Sequence, residues 1–168
     1  MAIIEISIPG LVRVRTRTWS TELIVPPGIV TGAGYAVGDA AGLQMRIDLP
    51  FSSGVLQSVS YNDNDDEGLA VDLILSRAPL EITIADNAAF TYNKASKDVE
   101  NQIGARLRFD LSLFEDYTNC QKACLDGIGR AFDLGTGRTI WAQMVAQGAL
   151  NIAAGALPSF RLSFLGDY

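Results

Sequence analysis

The chain has 168 residues, 48% of them apolar, which suits one domain or two small ones. A chain of that length buries about 68–70% of the surface it exposes when unfolded, so the core is sizeable. Net charge is −6 and there is no histidine, which excludes Ser-His-Asp and Cys-His catalysis, histidine metal ligands and the basic footprint of a nucleic-acid binder.

Met1 to Glu5 lacks the basic start of a signal peptide and carries a glutamate in its apolar run. No stretch approaches the roughly 18 uninterrupted apolar residues of a membrane helix. The sequence therefore predicts a chain made and kept in a cytoplasm, with no membrane and no nucleic acid as partner.

In chain order, residues 2–8 are β-branched and end at Pro9-Gly10. Residues 11–19 set Val12, Val14, Thr16 and Thr18 against Arg13, Arg15 and Arg17. Pro26-Pro27-Gly28, Gly32 and Gly34 mark a long crossing loop. Leu43, Met45, Ile47 and Leu49 alternate with Gln44, Arg46 and Asp48. Val55, Val59 and Tyr61 share a face with Gln57 among them, and residues 62–68 form a polar turn. Leu69, Val71, Leu73 and Leu75 alternate with Ala70, Asp72, Ile74 and Ser76.

Ser96 caps a short helix over 96–103, with Asp98 and Glu100 near its start and Gly104 as its stop. Leu107, Phe109, Leu111 and Leu113 alternate with Arg106, Arg108, Asp110 and Ser112. Residues 119–125 hold a further helical turn. Trp141 and Val145 lie opposite Ile140, Ala142, Met144 and Ala146, and Phe160, Leu162 and Phe164 alternate with Arg161 and Ser163.

Successive strand side chains point to opposite faces, so a period of two marks strands with one buried face. Clean alternation favours antiparallel sheets with a wet side. The reading is all-β: an antiparallel β-sandwich, jelly-roll-like by its roughly eight strands, with one or two short helices. It is a single domain, with residues 35–168 as the sandwich and residues 1–34 as an N-terminal β-arm or its first strands. The expected core contains Leu43, Met45, Ile47, Leu73, Leu107, Phe109, Leu111, Leu162 and Phe164.

The candidate chemistry is sparse. Asp63, Asp65, Glu67 and Gly68 mimic the opening of a calcium loop, but its twelfth position, the bidentate acid, is Ile74. A solvated hairpin turn fits better. Gly32, Gly34 and Gly38 lack a dinucleotide-loop spacing and read as turn glycines. Asp39, Asp48, Asp72 and Asp86 read as surface carboxylates. Cys120 and Cys124 are two reduced thiols, a poor disulfide framework and too few ligands for zinc. No catalytic, metal or cofactor residue emerges.

Two features suit an interface. Arg13, Arg15 and Arg17 share one strand face, either as charges that block unwanted edge pairing or as a contact strip for carboxylates. Trp141 suits rim packing or an interface anchor.

The order of several short motifs carries a resemblance. Tyr35-Ala-Val-Gly-Asp39 precedes Gly42-Leu43 and Gly54-Val-Leu-Gln-Ser-Val59. The acidic turn at 63–68, Ala70-Val-Asp-Leu-Ile-Leu75, Asp86-Asn-Ala-Ala-Phe90 and Ile103-Gly104 follow. An apolar strand ending near Val145 and Leu157-Pro-Ser-Phe-Arg-Leu-Ser-Phe164 close the set. In this order they resemble the capsid cement or decoration proteins of tailed bacteriophages, over residues 35–110 and more loosely 139–168. Residues 111–138 have no counterpart.

The resemblance implies a jelly-roll virion protein, not an enzyme, that clamps the outside of a capsid lattice. It implies the phage major capsid protein and a second copy of the chain as partners, a dimer before a trimer. It brings no cofactor and no catalytic residue. A virion carbohydrate- or host-binding module and a tail or neck connector are the alternatives.

Overall fold

The computed structural model describes residues 3–5, 15–32, 34–65, 70–80, 85–92 and 98–167, of which 3–5, 15, 16 and 167 by backbone alone. The strands are β1 (Ile3–Glu5), β2 (Arg15–Ser20), β3 (Gly34–Tyr35), β4 (Met45–Asp48), β5 (Ser53–Asp63), β6 (Val71–Ser76) and β7 (Leu107–Phe109). They continue as β8 (Phe114–Tyr117), β9 (Cys120–Leu125), β10 (Arg130–Asp133), β11 (Thr139–Ala146), β12 (Leu150–Asn151) and β13 (Ser159–Asp167). Helix is confined to α1 (Asp98–Asn101) and a 3-10 turn at Leu111–Leu113 among the described residues. None of it is long and apolar enough to cross a membrane.

The larger sheet runs β1-β2-β13-β5-β9-β8, with β10 beside β5, and the smaller runs β4-β11-β6-β7. Four antiparallel pairs nest inside one another: β2 with β13, β4 with β11, β5 with β9, and β6 with β7. A long antiparallel hairpin rolled on itself makes this pattern. Its strands fall alternately into two facing sheets, which is the jelly roll.

Apolar side chains of both sheets meet between them. Tyr61 stacks on Phe160 at 4.9 Å and tilts against Phe109 at 5.5 Å. At the other end Phe51 packs among Trp19, Phe132 and Phe164, with centroids 6.1–6.2 Å away. Gly166 makes room for it, because a Cβ there would lie 2.2 Å from the Phe51 ring.

Met45, Ile47, Leu73, Leu107, Phe109, Leu162 and Phe164 are buried as the alternation requires. Leu43 and Leu111 are not, at 46% and 66% exposed. Gly42 turns the chain with φ of 76° just before β4, and Leu43 lies outside against Gly28. Strand β7 stops at Phe109 because the Asp110 carboxylate accepts the Ser112 N–H and opens the 3-10 turn.

Other expectations are corrected too. Residues 120–125 form β9, not a helical turn; Asn119 at φ 65° closes a tight turn between β8 and β9. In β5 a bulge opposite Ser163 and Phe164 shifts the phase, so Leu56, Val59, Tyr61 and Asp63 are buried while Val55 is half-buried. Strand β6 is buried on both faces. The polar turn after β5 begins beyond the buried Asp63, and its residues 66–68 lie outside the described set. The positive φ of Gly32 and Gly38 fits their reading as turn glycines.

Candidate interaction surface

The arginine strip sits on β2, whose register fixes its direction. Arg15 pairs with Glu5, and Arg17 pairs with Ile3 on one side and Gly166 on the other. Arg13 lies outside the described residues. Beyond β2 the chain still follows β13: Ile24 and Phe160 exchange backbone hydrogen bonds at 2.8 Å. Alternation puts Arg17 on the face of Trp19, which packs on Phe51 and Phe164. That is the inner face of the sheet, so half-buried Arg17 stands at the sandwich rim. Thr18 and Ser20 take the wet face.

Trp141 lies on β11 between Arg46 of β4 and Ser76 of β6. Ile140 and Ala142 beside it point into the core, so Trp141 is on the outer face of the smaller sheet, half-buried. The structure does not bring Trp141 and the arginine strip together. One belongs to an outer face and the other to the rim of the opposite sheet.

Two charged clusters were not read from the sequence. Asp72 is fully buried on the outer face of β6, not a surface carboxylate. Arg108 Nε and Nη2 donate to its two oxygens at 2.9 and 3.1 Å, and Arg106 Nη1 lies 3.6 Å away. Arg106 in turn stacks 5.4 Å over Tyr92 and 5.9 Å over Phe90, roofing the carboxylate. Asp72 raises the Arg108 affinity for its proton through this hydrogen bond and its charge. A buried carboxylate is tolerated only with partners of this kind. The signal was present: one Asp inside an apolar run, and two Arg spaced to share a strand face.

The second cluster is Asp86. Its carboxylate accepts the N–H of Val30 at 2.9 Å, the hydroxyl of Tyr35 at 2.8 Å and the N–H of Gly42 at 2.5 Å. One side chain thus ties three points of the crossing loop. Burial first, and then Asp86, pushes the Tyr35 phenol well above its ordinary range. The Ala40 N–H donates to the Ala88 carbonyl and the Phe90 N–H to the Gly38 carbonyl, both at 2.8 Å, fixing this segment along the loop.

At the edge strand β4, Arg46 Nε donates to Asp48 at 3.1 Å, and the Thr139 hydroxyl donates to Asp48 at 2.7 Å. The Thr139 hydrogen bond, then Arg46, holds the Asp48 carboxyl below its usual range. Beside this strand a cleft of about 200 Å³ is lined by Ile24, Val25, Pro27, Met45 and Arg46. Its walls are mostly apolar with one cation at the rim.

Cys120 and Cys124 project from one face of β9. At roughly 3.3 Å per residue their Cα atoms are about 13 Å apart, beyond disulfide reach. Among the described residues, no three His, Cys, Asp or Glu side chains converge to hold a metal.

No family model and no curated protein matches the chain. Among solved structures it is similar to a chain of the native virion of Kashmir bee virus at acidic pH, with 14% identity and a TM-score of 0.34. The match covers 90% of this chain and 70% of that one.

Proposed function

We propose that the chain is a non-enzymatic virion protein, a decoration protein that binds the outside of a tailed-phage major-capsid lattice and stabilises it. The motif order over residues 35–110 and 139–168 supports the family, and the nested jelly roll is compatible with it. The observation that carries an interface is the composition of one exposed segment. Leu23, Val25, Val30, Val37 and Leu43 are 44–68% exposed, and all lie on the stretch that crosses between the sheets. Exposed apolar side chains gathered on one loop, backed by a rigid sandwich, suit a protein partner. A partner that binds only the assembled lattice shifts the equilibrium toward assembly by mass action.

In this reading Arg13, Arg15 and Arg17 meet carboxylates of the capsid protein, and Trp141 anchors a second contact. The carbohydrate-binding alternative needs a groove with an aromatic platform. The described cleft is lined instead by Ile24, Val25, Pro27, Met45 and Arg46.

The test is co-sedimentation with assembled capsids and with free capsid subunits. Binding to capsids alone is expected. Serine at Val37 and Leu43 together should weaken it in a folded variant. Serine at all three arginines should cost about 2–5 kcal/mol for each buried charge pair broken. Failure of the wild-type chain to pellet with capsids overturns the role. A few copies per virion, in place of many, points to the tail or neck.

A further inference from the structure

The smaller sheet ends on β4, and among the described residues no strand pairs with its outer edge. The backbone parity of that edge is fixed. Leu49 N–H donates to the Arg138 carbonyl at 2.7 Å, in the same register as the Ile47–Ile140 and Met45–Ala142 pairs. In an antiparallel ladder, alternate residues turn both backbone groups toward the same neighbour. Met45, Ile47 and Leu49 therefore face β11. Arg46 and Asp48 turn their N–H and C=O groups to the open edge. Their side chains share the outer face and are 62% and 64% exposed.

We propose that this edge pairs with the same edge of a second copy of the chain, about a two-fold axis through Ile47. A two-fold contact must be complementary to itself. Parity places the axis on a residue, because an axis between residues would set an open backbone group against one already held by β11. An axis on Arg46 or Asp48 sets like charges opposite each other, which destabilises the pair. An axis on Met45 sets Arg46 against Gln44 and leaves Asp48 without a cation.

The axis on Ile47 has none of these faults. It sets Arg46 of each copy opposite Asp48 of the other, twice. The open N–H and C=O groups of those residues meet one another and make four main-chain hydrogen bonds. Ile47 faces its own copy at a position that needs no hydrogen bond. The two four-stranded sheets become one continuous sheet.

Edges are commonly protected by charge. Two lysines would repel a copy of themselves, whereas an Arg and an Asp two residues apart attract one. The Arg46–Asp48 contact within one strand is exposed and contributes little by itself. The cleft lined by Val25, Pro27 and Met45 lies at the Met45–Arg46 end. There the second copy's chain beyond Asp48 arrives, so half-buried Pro50 of that copy approaches an apolar surface. The pairing does not depend on capsid binding.

Sedimentation equilibrium of the full chain tests this, with circular dichroism to confirm folding. The wild type should be dimeric at about 100 μM. Arg46→Asp alone and Asp48→Arg alone each set two like-charged pairs across the axis, and should weaken the dimer at least about tenfold. Mixing the two variants one to one should restore a dimer, since every cross-strand pair is then opposite in sign. The chain carrying both changes should dimerise by itself. Amide exchange on the wild type gives a check that needs no variant: the Arg46 and Asp48 N–H groups should gain protection as concentration rises. A monomeric wild type, a mixture that stays monomeric, or unchanged exchange at those two amides would overturn the proposal.

Discussion

The larger sheet turns Thr18, Ser20, Ser163, Ser60 and Asn62 outward, whereas the middle of the smaller sheet, β6 and the end of β11, turns Asp72, Ile74 and Val145 outward and buries all three. The two sheets face each other across one core, yet their far sides obey different rules. Water satisfies the far side of the larger sheet. On the smaller sheet the roof near Asp72 is Arg106, stacked on Phe90 and Tyr92. The difference shows that alternation reports burial only where one face is wet. Once the chain covers the second face, a strand becomes an apolar run and its one charge must find partners.

The largest effect separates two tyrosines. Tyr61 lies between the sheets, and Tyr35 under the crossing loop. Burial, with Asp63 beside Tyr61 and Asp86 beside Tyr35, raises both phenols above the ordinary value near 10. A group that holds its proton more tightly when folded stabilises the fold fully below its unfolded pKa. That stability is lost as pH rises past it. Above about pH 10 stability should therefore fall, and both phenols should ionise only as the chain unfolds. Absorbance at 295 nm, followed beside circular dichroism, checks this. Asp86→Asn should let Tyr35 ionise at a lower pH, ahead of the unfolding transition that still releases Tyr61.

Substitution breaks the comparison more directly. Phe109→Ala should cost about 3–5 kcal/mol by urea denaturation, the range for emptying a buried aromatic site. Ile74→Ala should cost about 2–5 kcal/mol, as much as Leu73→Ala on the inner face. If Ile74→Ala costs less than about 0.5 kcal/mol, the outer face over β6 is wet and the distinction fails. Gly166→Ala should cost about 1–3 kcal/mol, because its Cβ would enter the Phe51 ring space and three aromatic neighbours hold that ring.

Where one face is wet, the sequence is legible. Met45, Ile47, Leu107, Phe109, Leu162 and Phe164 announce their inner faces by spacing alone. Leu43 and Leu111 continue that spacing beyond the strands that justify it, because Gly42 and Asp110 turn the backbone there. The hairpin of β8 and β9 hides because Cys120, Lys122 and Cys124 point outward against half-buried Gln121 and Leu125, with only Ala123 fully buried. That alternation is weak. The nested pairing is not local at all: β2 meets β13 across more than a hundred residues, and nothing in either segment names the other. For the candidate site, the arginines and Trp141 were legible as residues but not as places. Only the register with β13 shows that Arg17 follows the inward face. The Arg46–Asp48 edge required knowing which strand ends the sheet.

The smallest effect belongs to the wet face. The Ser20 and Ser163 hydroxyls lie 2.9 Å apart across β2 and β13. Water replaces either partner when the other is removed, so Ser163→Ala forfeits only the net value of a cross-strand pair, roughly 0.2–1 kcal/mol. The alanine methyl meets no ring there, unlike the methyl at Gly166. Urea denaturation at low and at high protein concentration should give the same small loss. A loss that grows with concentration would mean that a second molecule covers the larger sheet, and the wet face would then have to be redrawn as an interface.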